Sequence, residues 1–182
     1  DFRGKKRSNK THVSRTDPQA LLASKGGGVA YLSYTTHALA ENRHGLIVDV
    51  HTTSATGTAE REAALVMVKR SIKPGSSTHK PTLAADKGYD TAEFVAALEP
   101  LGIAPHIAAK VKGSAVPAKV KSKPGYAVSL RRRKMIEEAF GWAKEIGTLR
   151  HAMARGLDRI GAHALLNFSA YNLTRLGNLL AP

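Results

Sequence analysis

The first 28 residues are mostly polar and end in the glycine run Gly26–Gly28, the pattern of an arm or long loop that only Leu21 and Leu22 can pin to a core. From Val29 to Ala40 the chain reads VAYLSYTTHALA, rich in β-branched and aromatic residues, and LIVDVHTT follows from Leu46 to Thr53. The intervening ENRHG supplies turn residues, so the two runs predict an antiparallel hairpin. AEREAALVMVKRS, residues 59–71, predicts a helix with Thr58 as its cap, acidic residues in its first turn, and Ala63, Val66, Met67 and Arg70 toward the body of the fold.

KPGSSTHKP predicts a loop and TLAA, Thr82 to Ala85, a short buried strand ending directly in Asp86. Asp90 with Glu93 fits a capping box that opens a helix stopping before Pro100, and GIAPHIAA predicts another short strand. Residues 110–125, KVKGSAVPAKVKSKPG, carry five lysines among glycines and prolines and predict an exposed, mobile basic loop. A helix around Glu137, a basic connector RHAMARGLD and a long C-terminal helix complete the order. The expectation is an α/β domain over residues 29–182, with an antiparallel edge followed by crossover units, preceded by an arm over residues 1–28.

Composition narrows the class. No apolar run is long enough to span a bilayer, and DFRGKKRSNK is followed by no apolar stretch of a secretory signal. Cysteine is absent, which removes disulfides and thiolate metal sites and fits a reducing cytoplasm. Twenty-eight Lys and Arg against fourteen Asp and Glu give a formal charge of +14, which favours a polyanionic partner such as nucleic acid. The eight histidines include no HExxH or HxH pair, giving zinc little support. The glycine run after Lys25 follows no strand and precedes no Lys-Ser/Thr, so it is not a phosphate-binding loop.

The segment RRRKMIEEAFGWAK, Arg131 to Lys144, holds two adjacent glutamates. With about 100° per residue, Met135, Ile136, Ala139, Phe140, Trp142, Ala143 and Ile146 share one arc. Glu138 and Glu145 fall on the solvated side, whereas Glu137 sits at the rim of the apolar arc with Arg133 and Lys144 on its stripe. Glu137 is therefore either half of an exposed i,i+4 ion pair with Arg133 or a metal ligand flanked by phosphate-positioning cations. Asp86, at the carboxyl end of an apolar strand and followed by Lys87-Gly88-Tyr89, lies where open α/β sheets bind ligands. Two carboxylates in so basic a protein suit oxygen-ligated Mg²⁺ or Mn²⁺, and phosphodiester cleavage and strand transfer use two such ions.

With these residues in place, the chain resembles the DDE group of bacterial insertion-sequence transposases, whose catalytic domain has a ribonuclease H-like fold. The resemblance rests on DFRGKKRSNKTHVSRTDP, HALAENRHGLIVDVHTTSATGTAEREAAL, LAADKGYDTAEFV, RRRKMIEEAFGWAKEIGTLR and HALLNFSAYNLTRL, in the family's order. It implies that Asp86 is the second catalytic aspartate and that Glu137, in E-x-x-F-G-W-x-K, is the catalytic glutamate, supported by Arg133, Lys144 and Lys87. Leu130 stands where the wider group has tyrosine.

By the same resemblance the first catalytic aspartate belongs to a V-D-G-T-like segment upstream of DFRGKKRSNK, on the first and central strand of the sheet. The expected fold is a ribonuclease H-like mixed sheet flanked by helices and lacking that strand. The expected protein is a C-terminal transposase part, inert by itself, acting in DNA transposition and recombination at transposon ends and target DNA in the bacterial cytoplasm and nucleoid. An upstream polypeptide or further copies of the chain are its expected protein partners. Two alternatives compete: a non-catalytic basic DNA-binding remnant, and an active nuclease completed by Asp49 as a substitute metal ligand. Lys110, Lys112, Lys119, Lys121, Lys123, Arg131, Arg132, Arg150 and Arg155 are the expected DNA contacts, mostly to phosphates.

Overall fold

The computed structural model describes residue 4 and residues 8–24, 28–72 and 80–181. The hairpin forms where the alternating pattern predicts it, as strands β2 (Tyr31–Ala40) and β3 (Ile47–Ser54), paired antiparallel with His37 opposite His51 and a bulge at Leu39/Ala40. Its turn is closed by one side chain. The Glu41 carboxylate accepts from the backbone N–H groups of Arg43, His44 and Leu46 at 2.7, 2.8 and 3.1 Å. Gly45 has φ +77°, a left-handed backbone conformation that favours glycine. Leu21 and Leu22 do pin the arm, as β1 (Leu21–Ala23), which pairs antiparallel with Tyr31–Ser33 of β2, next to the stretch Tyr34–Ala40 that pairs with β3.

Helix α1 (Ala59–Ser71) has its predicted bounds, but its buried stripe is Ala59, Ala63, Met67 and Val68, while Val66 is exposed. The helix is rotated from the predicted face toward the 59-63-67 row, which leaves Arg70 free to reach Asp49. Thr58 occupies the N-cap position without a side-chain cap bond. Strand β4 (Thr82–Ala85) pairs parallel with β5 (Ala104–Ile107), joined by a 3-10 turn (Lys87–Tyr89) and helix α2 (Ala92–Leu98).

Asp90 does not cap α2. Thr91 does, its hydroxyl accepting from the Phe94 N–H at 3.3 Å. Asp90 is buried instead and accepts from the N–H groups of Lys110 and Ala115 at 2.7 and 2.8 Å. Burial alone would raise its pKa, but these hydrogen bonds, the Ser114 hydroxyl and the Lys110 charge hold it below the usual carboxylate range. The segment predicted as a mobile loop therefore has a frame. Asp90 fixes its start, Val116 and Val120 bury into the core, and residues 118–121 form a short helix, α3 (Ala118–Lys121).

The predicted helix around Glu137 is two helices, α4 (Pro124–Arg132) and α5 (Met135–Glu145). At the break, adjacent arginines serve different partners: Arg132 Nη1 donates to the carbonyls of Asn42 and Arg43, and Arg133 pairs with Asp86. Ala139 and Ala143 are buried as the wheel predicts, but Ile146, at the C-terminal end of α5, is exposed. Glu138 and Glu145 are exposed yet not merely solvated, pairing with Arg175 and Arg150. Helix α6 (Leu157–Leu180) closes the chain, with Asn172 bridging the N–H and C=O of Ile47 at 2.8 and 2.7 Å.

The fold is mixed α/β, but the strands do not form one mixed sheet. They make two: β1-β2-β3 and β4-β5. Two apolar cores lie on opposite faces of the hairpin. Leu39 packs with Val68, Phe94, Ile103 and Ile107, whereas its neighbours Ala38 and Ala40 pack with Ala139, Ala143 and Phe168. Among the described residues no strand bridges β2 and β4, and that gap splits the sheet.

His37 is buried in β2, its Nε2 2.9 Å from the Thr53 hydroxyl, and burial with the nearby His51 pushes its pKa down to about 4. His106 is likewise lowered by burial and the Lys123 charge. A histidine with a depressed folded pKa stays neutral while the unfolded chain takes up a proton. Its contribution is fully present above the unfolded value of about 6.5 and is lost as pH falls toward the folded value. Urea unfolding should therefore show stability falling by about 1 to 3 kcal/mol between pH 7 and pH 4.5. His37→Gln should flatten that slope; an unchanged slope in the variant would assign the dependence to other groups.

Candidate catalytic cleft

The gap between the two sheets is a cleft. One end of it, about 420 Å³, is lined by β2 from Thr35 to Leu39 and by β4 from Leu83 to Asp86, with α1 and α5 supplying the walls. Asp86 reaches this end because β4 stops at Ala85 and the chain turns into the 3-10 helix beyond it. Glu137 reaches it from the first turn of α5. Arg133 and Lys144 line the same space. Four of the residues singled out from sequence thus share one cleft.

Their interactions are specific. Arg133 Nη1 donates to Asp86 Oδ1, so the i,i+4 partner expected for Arg133, Glu137, is not the one it takes. The Asp86 side chain is 71% exposed and that of Arg133 24%, so the pair contributes at most about 1 kcal/mol to stability. Arg133 Nε is buried and has no hydrogen-bond partner among the described residues. Lys144 Nζ lies 5.7 Å from the centre of the Phe140 ring, close enough for a cation–π contact. Lys87 lies in the exposed 3-10 turn beside Asp86.

Asp49 sits elsewhere. It lines a separate shallow recess with Val48, Arg70 and Ser71, and Arg70 grips it through Nε and Nη2 at 3.0 and 3.2 Å. Glu60, in the first turn of α1, also lines the cleft, although its place in the sequence marks it only as a helix-dipole residue. Its charge adds to burial in raising the Tyr89 hydroxyl to about 12. The signal that could have found it is its position in the first turn of the helix that follows the hairpin, a placement that topology, not spacing, turns toward β4.

The donor set can be tested against divalent ions. Asp86 and Glu137 supply hard carboxylate oxygens, as Mg²⁺ or Mn²⁺ requires. A pair of ions needs more ligands than two carboxylates, one of them already held by Arg133. Among the described residues no group of three His, Asp or Glu side chains converges to hold an ion. These residues therefore do not fit a two-ion centre by themselves.

The predicted cationic surface is exposed at Lys110, Lys112, Lys119, Lys121 and Lys123 and at Arg131. Arg132 is committed to the hairpin turn and Arg150 to Glu145. Arg150 and Arg155 line a larger cavity of about 760 Å³ between the arm, β2 and the segment before α6. Among the described residues no helix is long and apolar enough to cross a membrane.

A family model described as Transposase DDE domain matches residues 10–173. Comparisons with curated proteins and with solved structures gave no match.

Titration with Mn²⁺ followed by electron paramagnetic resonance should detect no more than one specific ion, with a dissociation constant on the order of 1 mM. Asp86→Asn or Glu137→Gln should abolish that binding, and Arg133→Gln should strengthen it by freeing the aspartate. Two tightly bound ions per chain would show that a further ligand is present.

Proposed function

Since this chain belongs to the transposase DDE domain family, we propose that it acts in DNA transposition, contributing two carboxylates and a cationic surface to a DNA strand-cleaving and strand-transferring centre that it does not complete alone. The observation that carries this reading is the convergence of Asp86 and Glu137 on one cleft, beside Arg133 and Lys144. Divalent ions in such a centre would supply Lewis-acid chemistry to a phosphodiester. In this chain Asp86 and Glu137 would hold part of that charge, while Arg133 and Lys144 orient a phosphate entering the cleft. The separation of an antiparallel hairpin from a parallel pair supports a ribonuclease H-like sheet whose central strand is not among the described residues. A nuclease completed by Asp49 is disfavoured, because that carboxylate would first have to leave Arg70.

The polyanion is double-stranded DNA, met chiefly through its phosphates. Lys119, Lys121 and Lys123 stand on α3 and in the turn that leads from it into α4. Replacing all three with alanine should weaken binding to unrelated duplexes by similar factors. The slope of log affinity against log salt should become shallower by roughly 2 to 3, at about 0.9 for each phosphate no longer neutralised. An unchanged slope would exclude this segment from the DNA-binding surface.

Purified residues 1–182 with Mn²⁺ and end-labelled duplex should give no cleavage above background. Cleavage that disappears in Glu137→Ala would mean the centre is complete within this chain and would overturn the proposal.

A further inference from the structure

Helix α6 is apolar on two opposite faces. One carries the buried residues Ile160, Ala164, Asn167, Phe168 and Tyr171, of which Phe168 and Tyr171 pack with Ile47, Ala139 and Ala143. The face opposite, at about 100° per residue, carries Ala162, Leu166, Ser169, Leu173, Leu176 and Leu180, all exposed. Leu166, Leu173 and Leu180 are 70%, 72% and 81% exposed, and Leu165 and Leu179 flank them at 56% and 43%. From Ala162 to Leu180 this face has no Asp, Glu, Lys or Arg, since Arg175 lies on the other side and pairs with Glu138. A helix that is apolar all round is one that is covered all round.

Spacing and charge identify the cover. The exposed residues recur at intervals of 4, 3, 4, 3 and 4, the seam of a two-helix coiled coil. Matched antiparallel to itself about the level of Tyr171, the seam sets Leu166 against Leu176 of a second copy, Leu173 against Ser169, and Leu180 against Ala162. Two of these layers thus oppose a leucine to a small residue, and two-fold symmetry repeats each of them. A parallel match would instead stack Asp158 and Arg159, in the first turn, on their own copies. In the antiparallel match they fall past the end of the second helix. Two molecules of charge +14 also repel least across an uncharged strip. The six exposed leucines leave roughly 300 to 400 Å² of apolar surface per copy, taking about 100 Å² for one fully buried leucine. Two copies then cover roughly 600 to 800 Å², which falls short of the 1,200 Å² or so of a standing interface and fits a weak, reversible one.

We infer that the exposed face of α6 pairs with the same face of a second copy of this chain, as a two-fold symmetric, antiparallel helix pair that forms at micromolar concentration. Association by this route strengthens as salt is added, because salt screens the repulsion between the copies and leaves the apolar seam intact. DNA binding through phosphates runs the opposite way with salt. The pairing uses no residue of the cleft and stands independently of the transposition reading.

Sedimentation equilibrium of the 182-residue chain, without DNA or metal, should show monomer and dimer with a dissociation constant on the order of 10 to 100 μM. Binding should tighten severalfold between about 0.1 and 0.5 M NaCl. Leu166→Lys and Leu173→Lys, each at a position already open to solvent, should weaken association by about tenfold or more. Neither should change the thermal unfolding of the dilute, monomeric chain. The chain lacks cysteine, so disulfides can report the pairing: oxidising a mixture of Ser169→Cys and Leu173→Cys chains should join unlike chains in excess over like ones. Four results would overturn the inference: monomer alone up to about 500 μM, dimers that weaken with salt, dimers that both lysine variants leave intact, or an excess of like-with-like cross-links. Neither DNA nor metal enters these measurements, so their failure leaves the DNA-binding and cleavage tests undecided, and failure of those tests leaves the helix pair standing.

Discussion

A β-strand carries hydrogen-bonding groups along both edges, and buried groups of this kind must be paired. In this chain β2 and β4 line one cleft with no ladder between them, and most of the architecture is arranged around that fact. The hairpin and the β4-β5 pair each satisfy one side internally. The helices α1 and α5 then span the gap from opposite faces, and the two apolar cores that result meet at the alternation of Ala38, Leu39 and Ala40. The ion pair between Arg133 and Asp86 ties the end of β4 to the start of α5. It contributes little stability, and both of its partners line the cleft. The candidate chemistry therefore sits at the mouth of a structural gap, and the same edges that leave the sheet divided leave Asp86 and Glu137 accessible.

Much of this was legible because local pattern and tertiary packing agree. The hairpin follows from alternation and turn residues, and α1 and α6 from helical spacing. That Asp86 and Glu137 line one cleft follows from their places in the sequence: one ends an apolar run, and the other sits on the rim of an apolar arc. What the pattern could not give was anything decided by contacts distant in sequence. Asp90 looks like a cap, because its carboxylate lies three residues before Glu93, yet its partners are twenty and twenty-five residues away. The break between α4 and α5 has no proline or glycine to announce it, and the side chains that flank it reach Asn42 and Asp86. The division of the sheet is of the same kind. Strand propensity marks each strand but says nothing about which edges meet.

The handling of charge follows a single logic. With twice as many cations as anions, each carboxylate has a choice of partners, and several acids are used to tie distant segments together. Asp49 joins β3 to α1, Asp86 joins β4 to the α4-α5 junction, and Glu138 joins α5 to α6. Glu41 and Asp90 hold backbone N–H groups in place of a cation. The excess positive charge is consequently left on the surface, concentrated where the chain is least regular.

That concentration has a physical consequence for how a polyanion is met. A free lysine-rich loop would lose side-chain and backbone freedom on contact, at a cost of about 1 to 2 kcal/mol for each backbone residue ordered. Residues 110–123 have largely met that cost in folding, through Asp90 at one end and the buried side chains of Val116 and Val120 further on. Their lysines are held at fixed spacings on a frame, with only the side chains left to order. The buried carboxylate of Asp90 thus does for the cationic surface what Arg133 does for the cleft. A single hydrogen-bonding group, satisfied far along the chain, sets the position of charges that face solvent.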